Sequence, residues 1–300
     1  MIKRTLYFGN PAYLKTANEQ LVVELKDAKE PKIIPIEDVG LLILDHQQIT
    51  ITQALLAKLL ANNTAVISCD DTHHPTGMLL SLDGHSLQSQ KFKAQVDATV
   101  PLKKQLWQQT VMAKIENQAA MLGFRKEENK LLTNLAASVK SGDSENAEAQ
   151  AAAYYWKRLF PEFLDFRRER YGPPPNNLLN YGYAILRALV ARSLVGSGLL
   201  PTLGIYHRNQ YNAYCLADDI MEPYRPYVDY VVYQLVRNNG KFLEMNPAMK
   251  KALLEIPAMD VVIDGKKSPL MNAVQRTTAS LCKCFEGTSR KILYPMFHIK

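Results

Sequence analysis

The sequence predicts an α+β protein in which a small N-terminal β-sandwich precedes a larger all-α domain. Three observations predict it. The first eighty or so residues carry short apolar runs of period two, punctuated by turn residues. After Asp83-Gly84 the apolar period changes to 3.6. The charge changes too: residues 1–100 hold nine Lys/Arg against eleven Asp/Glu, a net of −2, and residues 101–300 hold 27 against 18, a net of +9. These place a boundary near 83–90 and divide the chain into 1–85 and 86–300.

The first strand places Ile2, Leu6 and Phe8 on one side and ends at Gly9-Asn10-Pro11. Short β-rich runs follow at 21–25, 32–36 and 39–44, then a lone helix over about 52–61, then strands at 64–69 and 77–82. Close strand spacing of this kind favours a small sheet or sandwich over a βαβ fold. In the second part, Leu102, Leu106, Val111, Ile115 and Ala119 mark one helical face, and Leu131, Leu135 and Val139 continue the pattern. Ser141-Gly142-Asp143-Ser144 is a turn with capping residues ahead of a helix over 148–160. Pro173-Pro174-Pro175 breaks the chain before a long apolar helix over about 176–197, and Pro201, Pro223, Pro226, Pro247 and Pro257 mark later helix boundaries.

Composition excludes several classes. With 47% hydrophobic and 22% charged residues, the 300-residue chain is composed like a globular protein and not like a disordered one. The apolar stretch 181–206 is interrupted by Arg187, Arg192 and four glycines, which argues against a membrane span. No early segment reads as a signal peptide, so a cytoplasmic location without a membrane partner is expected. Cys69, Cys215, Cys282 and Cys284 have no disulfide-framework spacing, and Cys282-Lys283-Cys284 lacks a second ligand pair for zinc. The His73-His74 pair reads as a polar loop between strands, and Gly196-Ser197-Gly198 as a helix end. The basic second part suggests that this part meets a polyanion.

Three segments carry candidate chemistry. Glu148 opens a helix beside small alanines, where the macrodipole alone accounts for a carboxylate. His207 follows a glycine-containing turn among side chains able to bond phosphates or stack on bases. Asp219 and Glu222 are three apart and share a face if helical. Two carboxylates and an imidazole suit Mg²⁺ or Mn²⁺, and a metal so held stabilises charge on a phosphoryl group in transfer. Arg208 and Arg225 lie near these positions and could clamp a DNA phosphate. Taken singly, each candidate also has an ordinary structural explanation, and spacing leaves the choice open.

At these segments the sequence resembles the CRISPR-associated integrase and endonuclease of spacer acquisition. Glu148 with Ala151-Ala152 and Tyr155-Trp156 is similar to the family's Glu-x-x-Ala-Ala-x-x-Tyr-aromatic motif. Asn180 to Tyr183, Gly198 to Pro201 and Gly204-Ile205-Tyr206-His207 resemble its central block, and Leu216 to Pro226 its third. The Glu222-Pro-Tyr-Arg-Pro226 wording is most similar to the type II branch. Ala153 departs from the pattern, since many members carry a basic residue there, which puts a phosphate contact at that position in doubt. Many relatives have aspartate where Glu222 stands.

The resemblance implies a dimerising β domain (1–85) and a helical catalytic, DNA-binding domain (86–300). It implies that Glu148, His207 and Glu222 hold Mg²⁺ or Mn²⁺, with Asp219 orienting the site. Two homodimers would be bridged by a small CRISPR-associated partner of ferredoxin-like fold, with the type II effector nuclease as a further partner. The 3′-hydroxyls of a prespacer duplex would then attack phosphodiesters at the CRISPR repeat boundaries. Hydrolysis and transesterification differ in which oxygen attacks, so the residues alone leave a structure-selective nuclease of branched DNA open. A non-catalytic DNA-binding scaffold is the alternative from another class.

Overall fold

The computed structural model describes residues 3–26, 28–163, 166–238 and 244–298. Its N-terminal part is built from β1 (Arg4–Phe8), β2 (Ala12–Ala17), β3 (Gln20–Leu25), β4 (Lys32–Pro35), β5 (Val39–Leu44), β6 (Ile49–Ile51), α1 (Gln53–Ala61), β7 (Ala65–Cys69) and β8 (Pro75–Leu79). Ile2, expected in the first strand, lies outside the described residues. Two four-stranded sheets form, in the orders β1-β5-β7-β8 and β4-β3-β2-β6. Leu14, Leu21, Val23, Leu42 and Val66 meet between them, with Leu55 and Leu59 of α1. A sandwich core is therefore present.

Sequence spacing missed two features of this part. The strands β1, β5 and β7 are mutually parallel, because the chain crosses through β2, β3 and β4 of the other sheet between β1 and β5, and through β6 and α1 between β5 and β7. The β1-β5-β7-β8 sheet is also buried on both faces. Leu42 and Val66 point into the sandwich, whereas Leu41, Ile43, Ala65 and Ile67 join the core of the helical part. That is why Val39–Leu44 reads as an unbroken apolar run and not as an alternation. Asp45, at the end of β5, fastens the two parts by accepting hydrogen bonds from Tyr7 Oη at 2.5 Å, Lys250 Nζ at 2.8 Å and His73 Nδ1 at 2.8 Å.

The helical part comprises α2 (Gln88–Val96), α3 (Val100–Phe124), α4 (Lys130–Ser138), α5 (Ala147–Leu159), α6 (Asn176–Gly196), α7 (Cys215–Met221), α8 (Arg225–Asn238), α9 (Pro247–Leu254) and α10 (Leu270–Phe285). Gly182 lets α6 approach α8 closely, since a Cβ there would lie 2.5 Å from Val228 Cγ1. The expectation of an all-α second part needs correcting. Strands β9 (Asp260–Ile263), β10 (Lys266–Pro269) and β11 (Pro295–Met296) form an antiparallel sheet in the order β10-β9-β11. Its hairpin turns on Asp264 and Gly265, both with positive φ (53° and 70°), the backbone that a two-residue Asp-Gly turn requires. No helix among the described residues is long and apolar enough to cross a membrane. The four cysteines are free and buried.

Candidate active site

Glu148 is placed by its own helix start. The Asp143 carboxylate accepts the Ala147 amide at 2.8 Å and the Glu148 amide at 3.1 Å, satisfying two of the donors that a helix N-terminus leaves open. Ala151, one turn on and fully buried, lets α5 sit close against the core. The Glu148 side chain is mostly buried and points toward α3, where Lys114 Nζ donates to its Oε1 at 2.6 Å.

His207 sits on the loop between α6 and α7, and Asp219 of α7 organises that loop. Asp219 Oδ2 accepts the amides of Ile205 at 2.7 Å and Tyr206 at 3.0 Å, while Oδ1 accepts the His207 amide at 3.2 Å and its ring Nδ1 at 2.6 Å. A carboxylate only accepts, so Nδ1 carries the hydrogen and Nε2 keeps its lone pair for a ligand. Gly204 is required here, because a Cβ would meet the His207 carbonyl and lie 2.8 Å from Asp219 Oδ2. Tyr206 stacks flat on Trp107 of α3, with ring centroids 4.2 Å apart and planes 2° apart, and the His207 ring stands edge-on to Trp107 at 5.8 Å. The hydrogen bond that the ring donates to Asp219 raises the His207 pKa against the opposing effect of burial, and the charges of Asp219, Glu222 and Glu148 add to the rise. Both carboxylates thus act on the imidazole through space. Burial pushes the Asp219 carboxyl upward, opposed by the ring and the loop amides.

Glu222 begins a short 3-10 turn, Glu222–Tyr224, between α7 and α8. Buried Asn117 of α3 pins that turn: its Nδ2 donates to the Pro223 carbonyl at 2.7 Å and to the Pro295 carbonyl at 3.0 Å. Arg225 Nε donates to Glu222 Oε1 at 2.8 Å, and its guanidinium packs over the Tyr183 ring at 4.4 Å. Lys114 Nζ lies 2.6 Å from Glu222 Oε2, so one ammonium bridges Glu148 and Glu222. Burial disfavours the charged Glu222, yet Arg225 and Lys114 prevail and hold its carboxyl down at about 2.

The residues fit a hard divalent cation in chemistry. The donor set is two carboxylates, bridged by Lys114, and an imidazole nitrogen on the neighbouring loop, and Glu222 Oε2 is buried with an ion pair but no well-directed hydrogen bond. Among the described residues, no three His, Cys, Asp or Glu side chains are gathered closely enough to hold a metal. Lys114 stands between two of the expected ligands. Of the expected phosphate contacts, Arg208 is exposed on the loop, whereas Arg225 is turned inward onto Glu222.

Sequence reasoning passed over Lys114, Trp107 and Asn117. A signal was present. Trp107, Thr110, Val111, Lys114, Gln118 and Met121 recur at helical spacing and are all buried, so a lysine and a glutamine interrupt an inward stripe of α3.

A sequence model of the family described as CRISPR associated protein Cas1 matches residues 6–245. The chain belongs to the Cas1 family. It is 35% identical to the CRISPR-associated endonuclease Cas1 of Neisseria meningitidis, over 93% of this chain and 91% of that one. It is 29% identical to a second such endonuclease, from Pyrobaculum aerophilum, over 75% of this chain and 79% of the relative. Among solved structures the Cas1-like fold recurs in a casposase bound to integration product, with a TM-score of 0.79 at 19% identity, covering 97% of this chain and 92% of the other. It recurs again in a Cas1 protein from Thermotoga maritima, with a TM-score of 0.75 at 17% identity and 95% and 97% coverage.

Proposed function

We propose that this Cas1-family chain is the endonuclease and integrase of CRISPR adaptation, joining short prespacer duplexes to the repeat array. The observation that carries the reading is the Glu148–Lys114–Glu222 bridge beside a His207 ring fixed by Asp219. In this reading Glu148, Glu222 and His207 Nε2 hold Mg²⁺ or Mn²⁺. The metal supplies charge stabilisation at the phosphoryl oxygens in flight. Asp219 keeps the imidazole in the Nε2-basic tautomer and holds the loop that carries it. Asp143 fixes where Glu148 starts, and Asn117 fixes where Glu222 turns. Arg208, exposed beside His207, follows the DNA backbone, and Arg225 acts mainly through Glu222.

The reading extends to the assembly. Residues 1–85 dimerise and residues 86–300, which carry the surplus of positive charge, bind DNA in a salt-dependent way. A small CRISPR-associated protein of ferredoxin-like fold bridges two homodimers, as fits the likeness in fold to a Cas6-RT-Cas1–Cas2 complex. The Glu222-Pro-Tyr-Arg-Pro226 block favours the type II branch, with its effector nuclease as a further partner.

The test mixes the protein and its small partner with a labelled short duplex, a supercoiled repeat-bearing plasmid, and Mg²⁺ or Mn²⁺. Covalent joining that disappears in Glu148→Ala and His207→Ala is expected. Cutting without joining would make the chain a structure-selective nuclease instead. DNA binding with neither activity would make it a scaffold.

A further inference from the structure

The bridging lysine has somewhere else to go. Lys114, Gln118, Glu222 and Asp229 line a cavity of about 120 Å³ beside the acidic pair, together with Arg168 and Arg225, whose charges the two carboxylates of the lining offset. A group of about the size of a water molecule occupies roughly 30 Å³, so the cavity has room for an ammonium. Gln118 lies one helical turn from Lys114 on α3, on the same face. Its side chain is 97% buried, being 3% exposed, and its Oε1 has no hydrogen-bond partner among the described residues. An acceptor buried without a donor is costly, so a state of the protein in which a donor reaches it is favoured by that contact.

We propose that Lys114 is a two-position side chain. In one position it bridges Glu148 and Glu222, as the structure shows; in the other, taken when a divalent cation binds these carboxylates, it withdraws into the cavity and donates to Gln118 Oε1. The proposal rests on the reading that Glu148, His207 and Glu222 hold the metal. Its physical basis is charge. Without a cation, two carboxylates share a mostly buried space, and the ammonium offsets their repulsion. With a divalent cation in place, an ammonium at 2.6 Å from both carboxylates would be repelled by it and would occupy their inward lone pairs. Lys114 is thus a positioning residue that keeps the acids assembled and sets how tightly the site takes its ion.

The test is a Mn²⁺ titration, followed by the electron paramagnetic resonance signal of the free ion and by the Mn²⁺-induced rise in Tm. Each variant is read against its own metal-free Tm. Lys114→Met is expected to lower the metal-free Tm while tightening Mn²⁺ binding about tenfold, because a competing positive charge is gone. Gln118→Leu, which removes the waiting acceptor, is expected to weaken binding about threefold. In the Lys114→Met background Gln118→Leu is expected to have no effect, since no ammonium then needs it. Lys114→Gln gives the same comparison if the methionine variant folds poorly. Unchanged or weaker binding in both Lys114 variants overturns the proposal, and so does a Gln118 effect that persists without the lysine. Wild-type binding that Glu148→Gln leaves intact would mean that the metal-site reading itself has failed.

Discussion

His207 Nδ1 lies 2.6 Å from Asp219 Oδ1, and the same carboxylate holds three backbone amides of the loop that carries the histidine. One buried acid therefore sets both the tautomer of the ring and the path of the chain leading to it. A proton on Nε2 competes with a divalent cation, and Asp219 raises the pKa of the ring above its usual value of about 6.5. Mn²⁺ affinity should climb with pH through a midpoint above that value. In Asp219→Asn the midpoint should shift down, and affinity at high pH should fall by about 10- to 100-fold. Calorimetric titrations across the neutral range would show this, and an unmoved midpoint would refute the pairing.

Glu222 gives an acid signature. An unfolded glutamate titrates near about 4.3, whereas the folded carboxyl is held at about 2. The stabilisation is fully present above pH ~4.3 and is lost as pH falls toward 2. Glu222→Gln should remove about 3 kcal/mol at neutral pH and flatten the loss of stability across that acid window. Urea melts of both proteins at several acid pH values check it.

Asp229 should behave in the opposite sense. Burial pushes its carboxyl up to about 6, against the hydrogen bonds that Tyr155 and Tyr183 donate to it. A folded value above the unfolded value of about 3.9 means that its contribution is best at low pH and is lost as pH rises through 6. Asp229→Asn should therefore stabilise the protein by about 2 kcal/mol at pH ~8 and by almost nothing at pH ~3.5. A gain independent of pH would show that the carboxyl is not the cause.

Gly204→Ala should displace the His207 loop. A methyl group there meets the His207 carbonyl and Asp219 Oδ2, so a loss of about 2 kcal/mol is expected. Mn²⁺ affinity should fall with it. A variant as stable as wild type, with unaltered Mn²⁺ binding, would mean that the loop has more freedom than the Asp219 bonds imply.

Local patterns made much of this readable from the residues. The helix expected over about 176–197 is α6, and the turn at 141–144 supplies Asp143, the cap that places Glu148. The missed hairpin was also readable, since Val261-Val262-Ile263-Asp264-Gly265 joins β-branched residues to a two-residue turn. The parallel pairing of β1, β5 and β7 was not, because close strand spacing does not reveal which strands the crossovers bring side by side.

By itself the sequence determined the order of a β part and a helical part, the unequal charge of the two, and four candidate residues on three separate segments. Periodicity and capping act within a few residues, so they can be read along the chain. Only the tertiary structure decided that Lys114 stands between Glu148 and Glu222, that Asp219 grips the His207 loop, and that Arg225 turns inward. Those choices depend on how α3, α5 and α7 pack. A buried ammonium settles wherever opposite charge and low solvent access coincide, and no local pattern specifies that place.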